Sequence, residues 1–115
     1  MSDLAAFRQR VRHRVPFWRL GLEEYGTPKG PYTQHERTAF LEALLSEITS
    51  LLAVIDRTAM SLSLRRPASL RSPLVTLLRF LQENRPVLTG ADSDTSIGQR
   101  MARLLGQVEK TVSRG

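Results

Sequence analysis

The sequence predicts an all-α fold, a single-domain antiparallel four-helix bundle spanning residues 1–115. Apolar residues recur at steps of three and four in four separate segments, and glycine- and proline-bearing stretches divide those segments. No stretch sustains the alternation of a half-buried strand: a period-two pattern fits residues 8–15 and fails on either side. Four apolar stripes in a chain of one domain's length bury one another most simply as a bundle.

The first helix is expected over about residues 3–22, with Leu4, Phe7, Val11, Val15, Trp18 and Leu22 along one face and Ser2 or Asp3 as its cap. Pro16 lacks the N–H that the ladder needs, so the helix should kink or break there. The loop YGTPKGPYT (25–33) follows, and Thr33 with Glu36 forms a capping box. The box opens a long helix over about 34–64, whose apolar series runs from Phe40, Leu41, Leu44, Leu45 and Ile48 through Leu51, Leu52 and Ile55 to Ala59 and Met60. Arg65, Arg66 and Pro67 close it. Ser72 and Pro73 read as an N-cap and first helical residue for a third helix over about 73–84, burying Leu74, Leu77, Leu78 and Leu81, and Pro86 stops it. After the PVLTGADSD loop, a fourth helix over about 95–113 presents Ile97, Met101, Leu104, Leu105, Val108 and Val112.

Composition limits the chemistry. The chain has no cysteine, which removes disulfides, thiolate metal sites and cysteine nucleophiles. Neither His13 nor His35 has a second ligand at metal-site spacing, GTPKG (26–30) lacks the order of a phosphate loop, and DSD (92–94) reads as a helix cap. No acid–base pair rises above chance, so no enzyme, metal or cofactor is expected. The longest uninterrupted apolar run is LLAVI (51–55), and no signal-peptide pattern is present, so a cytoplasmic protein without a membrane span is expected.

The formal net charge is +6, and the basic residues are all arginine except Lys29 and Lys110. A guanidinium fork bonds phosphate bidentately, so an arginine-rich basic domain points to a polyanion. The stretch FRQRVRHRVPFWR (7–19) places Arg8, Arg12 and Arg19 near one flank of a helix and Arg10 and Arg14 near the other. Trp18 lies on the apolar stripe and reads as core, although it and Phe17 have the chemistry to stack on bases. Residues 34–56 are acidic through Glu36, Glu42, Glu47 and Asp56, while residues 1–22, 65–85 and 98–115 are basic, which allows a basic face made by the first, third and fourth helices and turned away from an acidic one. The expected function is therefore non-enzymatic nucleic-acid binding, RNA or DNA, through Arg8, Arg10, Arg12, Arg14, Arg65, Arg66 and Arg71 as phosphate contacts. Gly98, Ala102 and Gly106 make a smooth strip that either admits a neighbouring helix of the chain or forms an oligomer interface. The alternative function is a homo-oligomeric adaptor for an acidic protein partner.

The helical segments also resemble the Avd family, four-helix accessory proteins of diversity-generating retroelements. The resemblance lies in PKGPYTQHERTAFLEALLSEI with Glu36 and Arg37, in LVTLLRFL with Arg79, and in IGQRMARLLGQV with Ile97, Gly98, Arg100, Met101, Leu105 and Gly106. It covers about residues 28–112; the family's terminal Gly-Trp is missing here, and the spacing within the last helix differs. It implies a ring-shaped homo-oligomer that binds a reverse transcriptase and its RNA through basic surface.

Overall fold

The structure, a computed structural model, describes residues 3–25, 32–61, 68–89 and 95–113. They form five helices: α1 (Asp3–Tyr25), α2 (Gln34–Ser61), α3 (Ala68–Glu83), α4 (Arg85–Thr89) and α5 (Thr95–Ser113). No strand occurs among the described residues. Ser2, GTPKG, Arg65, Arg66, Pro67 and the acidic DSD segment lie outside them.

α1 packs against α2 and α5, α3 packs against the same two, and the short α4 sits on α2 and α3. The molecule is elongated, 46 × 22 × 21 Å. Its core follows the stripes: Phe7, Val11, Val15, Trp18 and Leu22 from α1 meet Leu41 through Ile55 of α2, Leu74, Leu77 and Leu81 of α3, and Ile97, Met101, Leu105, Val108 and Val112 of α5. Phe80 and Leu88 join them, while Phe40, Leu78 and Leu104 are half-buried at the edge. Where α1 approaches α2, Gly21 leaves room for the Phe40 ring, which a Cβ at that position would strike.

At Pro16 α1 is not broken but continues to Tyr25. Pro16 is exposed, so water can satisfy the carbonyl that loses its partner. The capping box of α2 is formed as its sequence requires: the Thr33 N–H donates to Glu36 Oε1 at 3.0 Å, and the Glu36 N–H donates to Thr33 Oγ1 at 3.1 Å. Those bonds, the backbone one first, hold the Glu36 carboxyl below the ordinary carboxylate value.

Two boundaries differ from the sequence expectation. α3 begins at Ala68, so Ser72 and Pro73 lie inside it and are not its cap and first residue. α3 ends at Glu83 ahead of Pro86 as expected, but the start of the PVLTGADSD stretch is helical and not loop: Pro86 enters α4 in the first turn, where its missing N–H would have had no helical partner. The α3–α4 corner is made by Asn84, whose carbonyl accepts from the Leu88 N–H at 2.9 Å and whose side-chain amide donates to the Phe80 carbonyl at 2.9 Å.

Candidate nucleic-acid interface

The arginines separate into two groups by what they touch. On α1, Arg14 grips Glu47 of α2 with Nε and Nη2, at 2.9 and 2.8 Å from Oε1, and the Trp18 indole N–H donates to Oε2 of the same carboxylate at 2.6 Å. On the opposite flank Arg19 is ion-paired with Glu109 of α5. Arg71 of α3 donates to Asp56 of α2 at 3.1 Å, and Arg85 of α4 pairs with Glu42. Arg37 is buried, and its Nη2 donates to the Leu88 carbonyl at 2.6 Å. The acidic residues of α2 therefore do not form a face turned away from the basic one. Glu42, Glu47 and Asp56 each neutralise an arginine of a neighbouring helix.

Of the expected phosphate contacts, Arg14 and Arg71 are thus engaged within the fold, and Arg65 and Arg66 lie outside the described residues. Arg8 is half-buried, and its Nε has no hydrogen-bond partner among the described residues. Arg10 and Arg12 are exposed and have no ion pair among them. Trp18 is core, 2% exposed, and cannot stack on a base, whereas Phe17 next to it is 63% exposed with the Arg14 guanidinium over its ring at 5.4 Å. Leu20 extends that outer surface, 55% exposed.

A second basic group lies between the third and last long helices, whose segments the sequence marks as basic without saying which arginines meet. Arg79 on α3 and Arg100 and Arg103 on α5 line one groove of about 250 Å³ with Thr76, Phe80, Glu83 and Leu104. Arg100 lies over the Phe80 ring, 5.0 Å from its centroid. Neither α3 nor α5 carries an arginine run to mark the place, which exists only where the two helices meet. The available signal was weaker, an Arg at 79 and an Arg pair at 100 and 103 flanking leucine-rich stretches.

No helix of the described residues packs onto Gly98 or Gly106. Gly98 and Ala102 are exposed, Gly106 is partly so, and a Cβ added at either glycine would have no atom within 4 Å. His13 and His35 are both exposed. No group of three His, Asp or Glu side chains among the described residues could hold a metal ion. By length and hydropathy alone Gln34–Arg57 of α2 would cross a membrane, a test that the core helix of a water-soluble fold also passes. Compared with protein-family models, curated proteins and solved structures, the chain matches none.

Proposed function

We propose that this chain is a non-enzymatic accessory protein that binds the backbone of RNA or DNA as part of a larger complex. The observation that carries the reading is the unequal neutralisation of the arginines. The carboxylates of α2 are taken up by Arg14, Arg71 and Arg85, while Arg10, Arg12, Arg79, Arg100 and Arg103 have no ion pair among the described residues. With a net charge of +6, that leaves an arginine-rich exterior suited to phosphate. Such contacts fix position and not sequence, so selectivity would come from a protein partner, and the resemblance noted above points to a reverse transcriptase.

The scaffold on this reading is an antiparallel four-helix bundle of α1, α2, α3 and α5, with α1 bent at Pro16 and α4 as a buttress. Opposite directions for α1 and α2 are supported by Gly21 lying against Phe40 while Arg14 reaches Glu47. For α2 against α3 and α4 the same support comes from Arg71 with Asp56 and Arg85 with Glu42.

Fluorescence anisotropy of labelled RNA and DNA oligomers across a salt series tests the function. The wild type is expected to bind with a steep salt dependence, and an Arg10→Gln/Arg12→Gln variant to lose about 0.7–0.9 in log–log slope per phosphate contact removed. Absence of binding at low salt would overturn the reading, and unchanged binding by the variant would remove α1 from the interface.

A second reading, self-association through the α5 strip, is favoured by the open space over Gly98 and Gly106. A Gly98→Leu/Gly106→Leu variant should then fall to monomer mass in light scattering. A monomeric wild type, or an unchanged oligomer in the variant, would reject it.

A further inference from the structure

The α3–α5 groove has features that a merely solvated helix face does not require. Phe80 is buried beneath the guanidinium of Arg100, and the half-buried Leu104 lines the same groove. That contact holds Arg100 on the groove wall before any ligand arrives, so less side-chain freedom remains to be lost on binding. Arg79 faces the same cavity from α3, and Arg103 comes from the next turn of α5. Among the described residues Glu83 is the only carboxylate lining it, against three guanidiniums. Like charges brought around one concavity repel, and a bound anion removes that repulsion.

Donor accounting narrows the ligand. The Thr76 hydroxyl donates to the Ser72 carbonyl at 2.9 Å, so among the described residues the groove's side-chain donors left for a ligand are the arginine N–H groups. Planar forks with no other strong donor suit a tetrahedral oxyanion held by two-point contacts. A volume of about 250 Å³ admits a phosphate with the sugar next to it and is small for an extended organic ligand.

We infer that the α3–α5 groove seats a backbone phosphate of a nucleic-acid strand, gripped by Arg79, Arg100 and Arg103. The inference rests on the nucleic-acid reading above and adds a place to it. The exposed arginines of α1 supply diffuse attraction, and the groove supplies the fixed contact that sets where the strand lies. Glu83 opposes the phosphate and limits its affinity.

The experiment uses the full chain and short labelled single-stranded RNA and DNA, with anisotropy read across a salt series and helicity checked by circular dichroism. An Arg79→Gln/Arg100→Gln/Arg103→Gln variant is expected to bind roughly tenfold or more weakly, with a log–log salt slope shallower by about 0.7 as the one phosphate contact is lost. Arg79→Gln/Arg103→Gln, which leaves the Arg100–Phe80 contact in place, should show a smaller loss of the same kind if the triple variant folds poorly. Glu83→Gln should tighten binding severalfold. If the wild type binds and the groove variants and Glu83→Gln all bind equally well, the groove is not the seat, and the broader reading survives on α1. If the wild type binds no oligomer at low salt, both fall.

Discussion

Replacing Trp18 by alanine is expected to lower the stability of the fold by about 3–5 kcal/mol, the usual cost of removing a large aromatic from a packed core. The side chain is 2% exposed on the α1 face that meets α2, in one core cluster with Val15 and Leu22 of the same stripe. Its indole N–H is also satisfied, by Glu47 Oε2 at 2.6 Å, and that carboxylate is held in turn by Arg14. The two contributions separate by substitution. Trp18→Phe keeps most of the apolar volume and deletes the donor, so its loss should be well below that of alanine. Glu47→Ala keeps the ring and orphans a buried N–H, at a cost of about 1–3 kcal/mol. Arg14→Gln should matter least, since its ion pair is partly exposed and such pairs contribute about 0–1 kcal/mol. Urea unfolding followed by circular dichroism gives the order. A Trp18→Ala midpoint equal to the wild type would mean that the α1–α2 interface is not as described.

The apolar periodicity made the four long helices readable, because burial of one face is the main force that shapes them and leaves its spacing in the sequence. Phe80 was left out although it stands three residues after Leu77; it is buried in the core, with Arg100 of α5 over its ring. The start of α3 was placed at Pro73, and α4 was read as loop. A proline restricts what precedes it but does not say how much helix is already in place, and tertiary packing of α3 carried the helix through Pro73.

Much less of the candidate interface was readable. Arg14 and Arg10 look alike in the sequence, and what distinguishes them is Glu47, 33 residues from Arg14. Charge along the chain thus located the arginines but not the ones already neutralised. The basic character of residues 65–85 and 98–115 was readable, but not that Arg79, Arg100 and Arg103, about twenty residues apart in the chain, line one groove.

Arg37 offers the second large expected effect, and its role was half-visible. It precedes Leu41 by four residues and so continues the stripe Leu41, Leu44, Ile48, a position where a charged residue must find a partner or be excluded. It is 4% exposed, and its guanidinium donates to the Leu88 carbonyl. α4 has only five residues, so its last carbonyls have no helical donors, and a cation there also meets the negative end of the helix. Arg37→Ala should therefore remove a charged hydrogen bond worth about 1.5–3 kcal/mol and leave a buried carbonyl without its donor. Arg37→Met tests whether length and apolar contact suffice; because methionine has no donor for Leu88, it should recover only part of the loss. The expected signature is local before it is global. Amide exchange should quicken at Val87 and Leu88, whose N–H groups bond to the Asn84 carbonyl, before α2 and α3 are affected. Because Arg85 with Glu42 still tethers α4, the segment should loosen and not detach. Unchanged exchange at those amides in Arg37→Ala would show that α4 is held by its apolar contacts through Leu88 and not by Arg37.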